Sequence, residues 1–115
     1  MSHELVFWDQ THDVVTPPRQ IYEKLSDGEA VEGLEEIPVD KFLAAIRKKF
    51  RGTQENPGTL DWESKDRGAF QVTWSPQHVR VDCYGMSGEE MNKLIDIAGD
   101  FDCPLYDPQI DTRFF

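Results

Sequence analysis

The chain has 115 residues, with 22 Asp and Glu against 12 Lys and Arg, a formal net charge of −10. That length predicts one domain over residues 1–115, and 38% hydrophobic with 11% aromatic residues excludes a disordered chain, which is poor in aromatics. The acidic excess argues against nucleic acid as a partner, because phosphate binding needs Lys and Arg to displace counterions. The longest early apolar run, Leu5 to Trp8, falls short of the roughly 20 residues a membrane span needs, so no membrane partner is expected.

In chain order, residues 4–9 are a short apolar run bounded by polar residues and predict a strand. Thr16 before Pro17 and Pro18 predicts a helix start with Thr16 as N-cap. Ile21, Tyr22 and Leu25 give that helix an apolar face, and Asp27-Gly28 ends it. An acidic connector follows over 28–37. A second helix is expected over 38–50, where Val39, Phe42, Leu43, Ile46 and Phe50 make an apolar stripe and Arg47, Lys48 and Lys49 suit the negative end of the helix dipole. Gly52 and Asn56-Pro57-Gly58 read as loop.

Three alternating segments predict strands with one buried face: Leu60, Trp62, Ser64; Phe70, Val72, Trp74; Val79, Val81, Cys83. Ser87-Gly88-Glu89-Glu90 forms a capping box. It opens a third helix with an apolar face of Met91, Leu94, Ile95, Ala98 and Phe101. Cys103 to Tyr106 reads as a last strand, delayed or placed at an edge by Pro104. The order β-α-α-β-β-β-α-β predicts an α+β fold, a single mostly antiparallel sheet with helices packed on one face. Residues 79–106 form a β-α-β unit whose strands should run parallel. The three tryptophans are expected in the core, with Phe114 and Phe115 either an edge strand or exposed anchors.

Catalytic chemistry is weakly represented. Asp9, His12 and Asp13 lack metal-site spacing. Glu63-Ser64-Lys65 with Asp40 has the outline of a metal-dependent nuclease, but Asp40 sits at a helix start, where a carboxylate has a simple electrostatic role. Cys83 lies on an apolar strand face, and Cys103 follows a helix C-terminus, which raises a thiol pKa. No Gly-rich phosphate loop is present. The expectation is a non-enzyme with no cofactor and no metal. Two cysteines without a disulfide framework, in a chain with no visible leader, lead us to expect a cytoplasmic protein.

The charge is segregated. Residues 23–40 carry seven acids against Lys24, a net of −6; residues 41–51 carry five cations and no acid; residues 82–111 carry eight acids against Lys93, a net of −7. Within the acidic blocks, Glu29, Glu32, Glu35 and Glu36, and Asp96, Asp100 and Asp102, are the candidate binding residues for a basic protein partner. Complementary charge speeds encounter and excludes wrong partners.

Met1-Ser2-His3-Glu4-Leu5-Val6-Phe7-Trp8 and Cys103-Pro104-Leu105-Tyr106-Asp107-Pro108-Gln109 resemble the two ends of a family of small acidic bacterial proteins. In size and charge the chain resembles immunity proteins of contact-dependent inhibition and related polymorphic toxin systems. That resemblance implies a cytoplasmic, non-catalytic inhibitor of one cognate toxin domain. The basic groove of a nuclease is the surface an acidic protein would cover. A small protein-binding adaptor or regulatory domain is the alternative, and a nuclease using Asp40, Glu63 and Lys65 is the third.

Overall fold

The structure is a computed structural model, and it describes residues 2–114; Met1 and Phe115 lie outside the described residues. The elements in chain order are β1 (Ser2–Phe7), α1 (Pro18–Ser26), α2 (Val39–Lys49), β2 (Gln54–Asn56), β3 (Thr59–Ser64), β4 (Gly68–Ser75), β5 (His78–Tyr84), α3 (Gly88–Gly99), β6 (Leu105–Asp107) and β7 (Thr112–Arg113). The fold is α+β. One seven-stranded sheet runs in the order β2-β3-β4-β5-β1-β6-β7, and its neighbours pair antiparallel.

Alternation along the strands sorts side chains to two faces. Leu5 and Phe7 of β1, with Leu60, Trp62, Phe70, Val72, Val79, Val81 and Leu105, face the main core. There they meet Phe42, Leu43 and Ile46 of α2 and Leu94, Ile97 and Ala98 of α3. Val6, Trp8 and Tyr106 point the other way and pack with Ile21 and Leu25 of α1 and with Val31 and Leu34 of the connector. Helices on one face therefore describes α2 and α3, whereas α1 covers the opposite face. The reason lies in β1, which is apolar at successive positions and needs cover on both sides.

Several local expectations shift for physical reasons. Pro17, not Thr16, is the N-cap of α1, at ψ 141°, and no side chain caps the end. A residue before proline is driven to extended backbone, so Pro17 cannot begin the helix and Pro18 does. Ser87 caps α3 by accepting from the Glu90 amide at 3.2 Å. Glu90 does not complete the box, because its carboxylate binds Arg67 and Lys93. In α3 Ile97 joins Leu94 and Ala98 among the buried residues, while Ile95 is only half-buried. Strands β5 and β6 point the same way but do not pair, since β1 lies between them.

Two short strands extend the sheet beyond the expected set. Residues 54–56, read as loop, pair with 59–61 around Pro57-Gly58. Strand β7 pairs with β6, and the Phe114 amide extends that pairing by donating to the Leu105 carbonyl at 2.7 Å. Trp8 and Trp62 are buried and Trp74 packs half-buried against the main core. Phe50, Trp62 and Phe70 form an aromatic cluster, with centroids 5.0 to 5.2 Å apart.

Gly68 sits at φ +100°, where a Cβ would meet the Tyr84 carbonyl oxygen at 2.7 Å and Gly85 backbone at 2.8 Å. Gly58, at φ +79°, has open space around it. The left-handed conformation alone costs a side chain about 1–2 kcal/mol. Gly68→Ala is therefore expected to cost at least twice what Gly58→Ala costs, measured as the shift in urea-unfolding free energy; equal costs would rule out the backbone clash.

Candidate functional site

The connector that bears the first acidic block is fixed by hydrogen bonds from two sides. Its Gly33 carbonyl accepts from Thr11, the Glu35 amide donates to the Asp9 carbonyl, and Leu34 bridges Gln10. From the β4–β5 turn, Gln77 accepts from the Val31 amide at 2.8 Å and donates to the carbonyls of Val31 at 3.0 Å and Leu34 at 3.3 Å. Ile37 donates to the Pro76 carbonyl. Val31, Leu34 and Ile37 point inward, and Glu29, Glu32, Glu35 and Glu36 are left exposed. Gln77 is the clamp that sequence reasoning missed: a Gln in a Ser-Pro-Gln turn looks like ordinary turn chemistry until its amide is seen to satisfy a distant backbone.

The second block lies at the end of α3. Asp96, Asp100 and Asp102 are all exposed. The helix closes through Cys103, whose amide donates to the Ala98 carbonyl at 3.0 Å, with Asp102 in the left-handed region at φ 59°. The two blocks approach each other around Asp9. Burial holds the Asp9 carboxyl above its usual range; Asp102 and then Glu35 push it further the same way, against the opposing pull of Arg113. Asp102 of one block and Glu35 of the other thus both act on Asp9. On the far side of α3, a hollow of about 400 Å³ brings Lys48, Lys49 and Lys93 to Asp96 and Asp100.

The nuclease constellation is not assembled. Asp40 opens α2 beside the β4–β5 turn. Glu63 pairs with Ala69, six residues along β4 from Ser75, which pairs with His78 at that turn, and six strand residues span about 20 Å. Glu63 also lines a hollow of about 470 Å³ with Asp61, Gln71 and Tyr84, on the sheet face opposite α2. Lys65 lies exposed in the β3–β4 turn. Among the described residues, no group of three or more His, Cys, Asp or Glu is placed to hold a metal ion.

Burial pushes the thiols of Cys83 and Cys103 up to about 12, and both are free. Cys83 packs in the core as a small apolar side chain.

The two end motifs bind each other. The Gln109 side chain accepts from the Glu4 amide at 2.7 Å and donates to the Glu4 carbonyl at 3.1 Å, as a neighbouring strand would. Asp107 accepts from the Gln109 amide at 3.0 Å and lies 3.1 Å from the His3 ring. Arg19 of α1 donates to the Pro108 carbonyl at 2.7 Å. Asp107-Pro108-Gln109 is therefore a turn stabilised by the Asp side chain that also staples β6 to β1. A scan of protein-family models, a search of curated proteins and a search of solved structures found no match to this chain.

Two outcomes are expected from this geometry. Gln77→Ala removes three hydrogen bonds to connector backbone, each worth about 0.5–1.5 kcal/mol, so amide exchange at Val31 should accelerate at least tenfold while the β4–β5 amides stay protected; unchanged exchange would show that the clamp carries no stability. His78, buried beneath α1 with its Nδ1 2.6 Å from the Ser75 hydroxyl, has its pKa pushed down to about 4 by burial and then by Arg80. A depressed His pKa means that the unfolded chain takes up this proton first as pH falls. Stability is then full above about 6.5 and declines down to about 4, by about 3 kcal/mol in all. His78→Gln should flatten that limb in urea titrations at pH 7, 5.5 and 4.

Proposed function

We propose that the protein is a non-catalytic immunity protein, which binds a cognate bacterial toxin domain and covers a basic, nuclease-type active site with its acidic surface. The observation that carries this reading is the state of the seven candidate acids. Glu29, Glu32, Glu35, Glu36, Asp96, Asp100 and Asp102 are all exposed. Among the described residues none of them joins an ion pair; the carboxylates that do are Glu4, Glu55, Asp82, Glu90, Asp107 and Asp111.

The mechanism has two parts. Exposed, unpaired carboxylates in two blocks set up a field that attracts a cationic partner, and such steering raises association rates about 10- to 1000-fold at low salt. Once docked, carboxylates in a nuclease groove occupy the positions that substrate phosphates need. An acidic protein with no phosphate-binding chemistry of its own blocks the groove without becoming a substrate. Inhibition by this route needs no reacting group, only stoichiometric binding that outlasts the toxin's encounters with nucleic acid.

The test is co-expression of the full chain with the C-terminal domain of the protein encoded immediately upstream, followed by pull-down and stopped-flow association. The expected result is a 1:1 complex. Replacing all seven acids by Asn or Gln, which moves the formal charge from −10 to −3, should slow association at least tenfold at 50 mM salt and much less at 500 mM. An unchanged rate and unchanged salt dependence would refute the electrostatic mechanism, and no complex with the wild-type chain would refute the immunity reading.

A further inference from the structure

The end of α3 is arranged against its own stability. The dipole of a helix favours cations at its C-terminus, and α2 obeys this with Arg47, Lys48 and Lys49 in its last turn. In α3 the last turn holds no basic residue and instead contains Asp96, with Asp100 at the C-cap. Asp102 follows in the left-handed conformation at φ 59°, where glycine would be free of strain. Lys48 and Lys49 approach Asp96 and Asp100 only from the α2 side.

The opposite side of the same acids opens on a groove of about 970 Å³ between α3 and β6. Its apolar surface comes from Ile95, Pro104, Leu105 and Phe114. Phe114 is 47% exposed although its backbone is held in the β6–β7 pairing. A large aromatic side chain fixed at the wall of an open groove is costly to leave in water, and a fixed aromatic makes a good anchor for a partner.

Resting on the proposed function, we infer that this groove is the docking slot of the toxin domain, and that it takes a segment with an apolar side chain flanked by Lys or Arg. The apolar side chain enters between Ile95, Leu105 and Phe114. The flanking cations reach Asp96, Asp100 and Asp102 and relieve the charge that the free helix end carries. The connector acids steer the partner, and this groove holds it. The unfavourable placement of acids thereby has a consequence in the free protein: removing them improves the fold as it weakens binding.

The experiment compares the full chain with two variants, D96N/D100N/D102N and Phe114→Ala. Each is measured for melting temperature, for affinity to the upstream-encoded toxin domain, and for resonance shifts with a synthetic peptide, Lys-Lys-Phe-Leu-Lys-Lys. The expected result is a melting temperature of the triple variant that is equal to or above wild type, and at least a tenfold loss of affinity in both variants. The peptide should shift resonances at Ile95, Leu105 and Phe114. If the wild-type chain binds the domain and the variants bind it equally well, the groove is overturned and the immunity reading stands. If the wild-type chain does not bind the domain, the immunity reading falls and the peptide decides the groove: shifts at those residues support a slot for basic apolar segments, and their absence overturns it. A triple variant that melts well below wild type would overturn the conflict at the helix end.

Discussion

The structure depends on β1 being buried from both sides. It lies between β5 and β6 and sends Leu5 and Phe7 to one core and Val6, with Trp8 just beyond its end, to the other. Four consecutive apolar residues can be satisfied in a strand only if each face has its own cover. Here α2 and α3 supply one and α1 with the connector supplies the other. Through its covering role the connector acquires a fixed path: Val31 and Leu34 are needed over Trp8 and Tyr106, and the glutamates between and beyond them are turned outward as a result. The first acidic block is on the surface because the second core needs the apolar residues it alternates with.

The same strand explains what could and could not be read from the residues. Period-2 alternation in β3, β4 and β5 states plainly that one face is wet, and the stripe of α2 states which residues oppose it; these elements appear where expected. The unbroken run Leu5–Trp8 carried the signal for a helix on the far side, yet a short apolar run alone does not say which helix covers it. Strands β2 and β7 were illegible because they are too short for a period and exist through pairing with β3 and β6. The acidic residues could be listed from composition, but their meeting at Asp9 could not, because it depends on the connector and the α3–β6 turn converging from positions about 65 residues apart. Gln77 was hidden for the same reason: its two partner residues, Val31 and Leu34, lie 46 and 43 residues away.

The two end segments of the chain hold each other. Ser2–Trp8 and Cys103–Gln109 are joined by the Gln109 amide, by Asp107 with His3, and by strand pairing of β1 with β6. Residues that hold two strands together should change little, whatever the protein binds. The exposed acids of the connector and of the end of α3 point away from both cores, so they can be replaced without disturbing these contacts.

The cations sharpen that division. Arg47 pairs with Glu55, Arg67 with Glu90, and Arg80 with Glu4 and Asp82, and Arg113 lies over Trp8 in the interior. An exposed pair such as Arg47 with Glu55 contributes about 0–1 kcal/mol. These pairs tie up Glu4, Glu55, Asp82 and Glu90 and leave the acids of the connector and of the end of α3 unpaired. A field of that shape governs how fast a cationic partner arrives and is screened beyond about 8 Å at physiological salt. How long the partner stays depends instead on desolvated apolar contact. At the end of α3 unpaired carboxylates border the apolar groove of Ile95, Leu105 and Phe114, so a field and an apolar contact can there act on the same segment of a partner.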